Sequence, residues 1–363
     1  MCKKIRVFES MSGIRFVETR KVQKFGKSTL MVSLPSEWVK LVNLRPSDMV
    51  RLEVKEDGTL LVIPQTLLEQ KIKGKEVKIS LSRNTPDDLL TRSLYATYIA
   101  GYDRIVIEGS DGELTPNHMQ SIRNLVRMLI GAEIVEQLPR RVVIQIFVDI
   151  NRYSLDALVS RIILTLKNMF NFLVVSIKGG STDYLKEIIE LEVEMDRVYA
   201  LAIRYVYVLS LLSSTPFITE YRALIKALED AGDALAQAAN IFLAKPHLME
   251  VVRIATEDRL EELNLYIQYL LDIMNDTITK SDVYIASRAI DNAQESTKFI
   301  SKLETDVIPK YRSLEDYINA KAFFERLQLI CYNLHAATEM IFDIVVGKQG
   351  NIVDITSRSK STT

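Results

Sequence analysis

Hydrophobic and polar positions change their period three times along this chain. Over residues 29–34, Thr29, Met31 and Ser33 alternate with Leu30, Val32 and Leu34. A period of two predicts a half-buried strand, and Gly26 ahead of it supplies a turn. Pro35 ends that strand, Ser36 is placed to cap a short helix over 36–42, and Pro46 keeps the helix from passing Arg45. Strands over 49–54 and 59–63 follow, with Asp57-Gly58 between them as a hairpin turn. From 66 to 149 the pattern is mixed. Strands over 77–81, 104–108 and 141–149 alternate with helices over 86–99 and 116–130, a β-α-β-α-β module. Thr85 and Thr115 each precede a proline at the first helical position, while Gly101 and Gly131 fall just past the helix ends.

Beyond Asn151 nearly every apolar position recurs at helical spacing, with breaks at Gly179-Gly180, 213–216, Lys245-Pro246, Thr279-Lys280 and Pro309. About six long helices in two sets of three, joined by short loops, predict two three-helix bundles in tandem. The expected fold class is therefore α+β and multidomain. A β head covers 12–65, a mixed module 66–150, the bundles 151–246 and 247–347, and a flexible tail 348–363.

Two helices carry carboxylates inside an apolar stripe. In the helix over 182–212 the stripe runs Leu185, Ile188, Glu192, Met195 with Asp196, Tyr199, Ala202 and Val206; in the next it runs Ile225, Glu229, Gly232 with Asp233, Ala236, Asn240 and Leu243. Like charges four residues apart cost an exposed helix about 0.2–0.5 kcal/mol, and far more when desolvated without a partner. Raised carboxyl pKa values, a buried Lys or Arg, or bound cations would each compensate; a solvated acidic face is the plainer reading.

Composition narrows the class. The chain has 363 residues, 48% hydrophobic and 26% charged, which suits a soluble protein of two or three domains. A net charge of −1 hides an asymmetry, because residues 1–40 hold nine Lys or Arg against three acids. A basic end points towards a polyanion, with Arg15, Arg20, Lys21, Lys24 and Lys27 as the DNA-facing set; lysines that guard a strand edge are the alternative. Cys2 and Cys331 are too few and too far apart for a disulfide framework or a Cys/His zinc site, so a reducing cytoplasm is expected. No apolar segment follows the first six residues, and the longest apolar run, near 205–209, is too short to span a bilayer, so neither secretion nor membrane insertion is expected. The chain holds no nucleophile elbow, Walker loop or His/Glu zinc motif, and no enzyme is expected.

The order strand, Gly turn, strand ending in Pro35, short helix, Pro46-Ser47-Asp48 and hairpin resembles the AbrB/SpoVT family. That resemblance implies an obligate homodimer in which hairpins of two chains interleave. Leu228-Glu229-Asp230-Ala231-Gly232-Asp233 resembles the signature of PhoU domains, in which this acidic pair faces a second pair on the preceding helix, here Glu192 and Asp196. What it implies is iron, zinc, manganese or magnesium at Glu192, Asp196, Glu229 and Asp233. A weaker second site would use Asp291, Glu295 and Glu325, with Leu329 standing where a fourth acid belongs. The fusion is similar in order to the archaeal type of PhoU-family phosphate uptake regulator. It implies a cytoplasmic regulator that binds promoter DNA or docks on a phosphate ABC transporter ATPase or a histidine kinase.

Overall fold

The computed structural model describes residues 17–26, 28–54, 58–65, 74–149, 152–212, 217–311 and 313–349. Arg15, Lys27 and the expected tail from 350 onward lie outside the described residues. The chain divides into two compact units, Met1–Lys75 and Glu76–Thr363.

In the first unit, β1 (Gln23–Phe25) pairs antiparallel with β2 (Thr29–Met31), and Gly26 makes the turn with φ of 67°. The second strand is shorter than its alternation predicts, because Gln23 pairs with Met31 and the ladder stops there. α1 (Ser36–Leu41) follows. Pro35 occupies its N-cap and no side chain caps it, so Ser36 is the first helical residue rather than the cap. The backbone NH of Arg45 donates to Asp48 Oδ2 at 2.7 Å, which closes the Pro46-Ser47 turn and leads into β3 (Val50–Val54) and β4 (Leu60–Pro64), an antiparallel pair. Among the described residues 17–65, only Pro64 is buried.

The second unit begins with a four-stranded sheet of order β5-β6-β8-β7, built from β5 (Glu76–Leu81), β6 (Arg104–Gly109), β7 (Ala132–Leu138) and β8 (Arg141–Ile146). β5 and β6 are parallel; β8 runs antiparallel to both β6 and β7. The expected β-α-β-α-β module is therefore β-α-β-α-β-β. Strand β7 escapes the sequence pattern because a bulge between Ile134 and Glu136 breaks its alternation, and β8 ends three residues before the expected 149. α2 (Asp87–Ile99) and α3 (Pro116–Met128) cover one face, burying Leu90, Leu94, Tyr98 and Ile122 against Ile105, Ile107, Val142 and Ile144. Thr115 caps α3 by accepting from the His118 NH at 3.1 Å. Thr85 instead accepts from the Ser82 NH, leaving Pro86 as the α2 cap. Gly101 and Gly131 take φ of 76° and 77° at the helix ends, a left-handed geometry that favours glycine.

Seven helices follow among the described residues: α4 (Leu155–Gly179), α5 (Asp183–Leu212), α6 (Ile218–Ala244), α7 (His247–Thr256), α8 (Arg259–Lys280), α9 (Val283–Val307) and α10 (Leu314–Lys348). One break was not legible. Glu257 adopts φ 53° and ψ −132°, which parts α7 from α8, and Lys310 Nζ reaches over to the Ala255 carbonyl and the Glu257 carboxylate. The two helix sets also share one apolar core, since α10 packs on α6 and α4 packs on α8. α4 and α10 are long and apolar enough to cross a membrane, which a search for unbroken apolar runs overlooked. Half of each apolar window is buried inside the bundle.

Arg204 of α5 joins the bundle to the sheet domain. Its guanidinium, 1% exposed, donates to the Tyr98 carbonyl at 2.7 Å, the Tyr102 carbonyl at 2.9 Å and Asp103 Oδ1 at 2.6 Å, and lies 5.1 Å from the Tyr98 ring centre. These three bonds and the Asp103 carboxylate compensate the burial of the cation, although its Nε finds no partner.

Candidate metal centre

α5 and α6 lie side by side because their apolar stripes interlock: Leu185, Ile188, Met195 and Ala202 on one, Ile225, Leu228, Ala231 and Leu235 on the other, all buried. Gly232 lets them close. A Cβ there would lie 1.6 Å from Met195 Cε, so the glycine of the Glu-x-x-Gly-Asp stretch makes room for a buried methionine. Four-residue spacing then places Glu192 and Asp196 along the edge of α5, opposite Glu229 and Asp233 on α6.

The edge is acidic and half-buried. Glu192, Asp196 and Asp233 offer carboxylate oxygens within 4.8 Å of one another, and Glu229, Asp230 and Asp233 form a second such group. Asp233 is the shared corner. Lys226 is the ammonium that enters the cluster, paired with Glu229 and with Asp230 Oδ1 at 2.6 Å. Burial works against the charged form of Lys226, but its hydrogen bonds to Asp230 and Glu229 outweigh that and hold its pKa above the ordinary value.

The carboxyls move the other way. Burial pushes Asp196 up to about 6, helped by Glu192 and Asp233. Glu192 is raised by burial and then by Asp233 and Glu229; Asp233 is raised chiefly by burial. Glu229 is also raised, because burial and Asp233 together outweigh the attraction of Lys226. Five carboxylates against one ammonium make a site that favours either protons or a cation.

The donor set tests which cation fits. All donors are oxygens, and no His or Cys belongs to either group. Such a set suits magnesium, manganese or iron better than zinc, whose protein sites draw on Cys and His.

Beside the cluster a cleft of about 220 Å³ is lined by Asp196, Tyr199 and Glu229 from the bundle and by Tyr95, Leu125 and Met128 from the sheet domain. The Tyr95 hydroxyl is held up to about 12 by burial, then by Tyr199, Asp196 and Glu229. Arg222 reaches the Tyr199 hydroxyl at 3.5 Å.

The other site residues fall as follows. Asp291 and Glu295 on α9 and Glu325 on α10 are exposed, and Glu295 pairs with Lys298 at 2.8 Å. They form no close acidic group among the described residues, and Leu329 is 38% exposed at the fourth corner. Lys21 and Lys24 are exposed around β1, whereas Arg20 is half-buried against Glu18. Sequence reasoning missed Asp230, whose position next to Glu229 and four residues after Lys226 was a usable signal. It also missed Tyr95, for which local spacing offered none.

Comparison with known proteins bears on the same residues. Residues 159–242 match the family model of the PhoU domain. That stretch runs from α4 to α6 and contains all five clustered acids. Residues 23–68 match the model of the MazE antitoxin, described as antidote-toxin recognition MazE, bacterial antitoxin. The head is thus AbrB/MazE-like, matched through MazE rather than AbrB/SpoVT. Both are families of non-catalytic regulators, and their models match residues 23–68 and 159–242 of this chain. No curated protein matches. Among solved structures, PhoU from Pseudomonas aeruginosa is 13% identical, with a TM-score of 0.45, over 53% of this chain and 96% of that one.

Proposed function

We propose that the chain is a cytoplasmic, homodimeric DNA-binding regulator of phosphate uptake, of the archaeal PhoU type, in which the α5–α6 acids bind a cation as part of the sensing region. We assign dimerisation and DNA binding to 12–65, the mixed domain to 66–150 and the bundles to 151–246 and 247–347. The observation that carries this reading is one chain holding both a MazE-like head and a PhoU-like helical region with a half-buried acidic cluster.

The head supports a dimer through its exposure. Phe25, Leu30, Leu52 and Val54 are 65%, 70%, 59% and 78% exposed, more apolar surface than so small a unit leaves bare on its own. A second copy of the same hairpins would cover it. In that dimer Lys21 and Lys24, with Arg15, Arg20 and Lys27, would meet backbone phosphates. Binding to a phosphate-transport promoter fragment, followed by fluorescence anisotropy, should weaken with salt by a log–log slope of about −0.9 per phosphate neutralised. Binding that ignores salt, or survives Lys21→Glu with Lys24→Glu, rejects the DNA reading.

A bound cation would neutralise carboxylate charge at α5 and α6 and hold the two helices together. Metal content of protein purified without chelator should exceed that of Glu229→Ala and Asp233→Ala; equal content in all three removes these residues as ligands.

A second reading is favoured by Leu329 and Tyr332, one turn apart on α10 and 38% and 65% exposed. Here the bundles dock on a phosphate ABC transporter ATPase or a histidine kinase, and the head only dimerises. Capture of the ATPase after deletion of 1–65, with no DNA shift by the intact protein, selects this alternative.

A further inference from the structure

We propose that the sheet domain is the second wall of the acidic site, with Tyr95 as the positioning residue that couples cation binding on α5 and α6 to the seating of α2. The inference rests on the cation reading above. Three observations carry it.

The first is the cleft itself. It lies between Tyr95, Leu125 and Met128 on one side and Asp196, Tyr199 and Glu229 on the other. At about 220 Å³ it far exceeds the roughly 10–15 Å³ one water needs, so a cation with part of its hydration shell fits. Magnesium and manganese sites commonly keep several waters, which gives a second-domain hydroxyl something to bond.

The second is alignment. α2 and α5 run beside each other so that Tyr95 lies near Asp196, while Tyr98 and Tyr102 meet Arg204. Tyr95 is one turn before Tyr98; Asp196 is two turns before Arg204. Arg204, with its three bonds, is the fixed end of this contact, and the cleft is its adjustable end. A cation bound at Asp196 would therefore act on α2 close to this bonded contact.

The third is the chemistry of the facing groups. Tyr95 keeps its proton and can donate to a carboxylate or to a cation-bound water. It faces Asp196 and Tyr199 from α5 and Glu229 from α6, with Lys226 and Arg222 as the nearby cations. Like-charged carboxylates repel one another, and a cation that neutralised them would hold them, and a hydroxyl bonded to them or to the cation's water, in one arrangement.

Hydrogen exchange of the full-length protein, with and without MnCl2, tests the coupling, and Mn2+ binding is read separately from loss of the free-ion paramagnetic resonance signal. Amides of 87–102 should exchange about fivefold more slowly with Mn2+, the lower end of ordinary intramolecular couplings. Tyr95→Phe, which keeps the ring, should bind Mn2+ yet lose that protection. Protection that is absent in the wild type despite binding, or unchanged in Tyr95→Phe, overturns the proposal. Failure of the wild type to bind Mn2+ overturns the cation reading beneath it.

Discussion

Met195 fills the space that a side chain at Gly232 would take: its Cε lies 1.6 Å, and its Sδ 2.9 Å, from where a Cβ would stand. This contact sets how closely α5 and α6 approach, and with it the spacing of the acids on their shared edge. Gly232→Ala should destabilise by about 0–2 kcal/mol, an overpacking cost of about 1–3 kcal/mol partly offset by about 1 kcal/mol of helix propensity. In a Met195→Ala background the same change should cost less or stabilise. A double-mutant cycle by urea denaturation checks this, and additive effects would mean the contact is not shared.

Asp196 should contribute an inverted pH dependence to the protein's stability. Its folded pKa, about 6, lies above the ordinary aspartate value, so the folded state binds the proton more tightly than the unfolded one. By linkage, the stability this brings is present at low pH and lost as pH rises through about 6. Glu192, Glu229 and Asp233 shift in the same direction. In chelator, the melting temperature should therefore rise between pH 7.5 and 5, before general acid denaturation sets in. Asp196→Asn should flatten that slope and stabilise the protein at pH 7.5.

A cation held by this cluster would compete with protons for the same oxygens. At pH 7.5, Mn2+ at a hundred times its dissociation constant should stabilise by about 2.7 kcal/mol, read as a rise in melting temperature. Asp233→Asn, which removes the corner shared by both acidic groups, should abolish the rise. Asp291→Asn with Glu295→Gln should leave it intact, since those side chains are exposed.

Replacing Arg204 should be among the most disruptive single changes. Arg204→Met removes the guanidinium's bonds to the Tyr98 and Tyr102 carbonyls and to the partly exposed Asp103 carboxylate, a loss of about 1.5–3 kcal/mol, the range for hydrogen bonds to a charged group. Arg204→Lys should recover only part, because one ammonium cannot match the guanidinium fork. Equilibrium denaturation of both variants provides the comparison.

Leu52 and Val54 on β3 offer a direct test of dimerisation. Introducing Glu at both should convert a dimer to a monomer by light scattering while leaving the helical circular dichroism signal unchanged, since both belong to the first unit. A dimer that persists would place the interface elsewhere.

Much of the candidate site was readable in advance because its information is local. Glu192 with Asp196, and Glu229 with Asp233, share a helix face by spacing alone, and their apolar neighbours mark that face as near the core. The PhoU resemblance also implied a weaker second site at Asp291, Glu295 and Glu325, whose side chains are exposed and form no close group among the described residues. Four-residue spacing states which residues share a face, and says nothing of what lies opposite it.

Strand β7 and the break at Glu257 were hidden for a related reason. A bulge masks the alternation of the first, and the second depends on Lys310, more than fifty residues away, to hold an unfavourable backbone.

Sequence alone determined the periods, the turns at Gly26, Gly101 and Gly131, the acidic pairs and the basic end, since each depends on residues within a few positions of one another. Tertiary structure alone decided that one acidic set converges while the other forms no close group among the described residues, that Tyr95 lines the cleft beside the first, and that Arg204 joins the mixed domain to the bundle. Those outcomes depend on side chains roughly forty to a hundred residues apart meeting across packed helices, and only burial of the shared core brings them within reach.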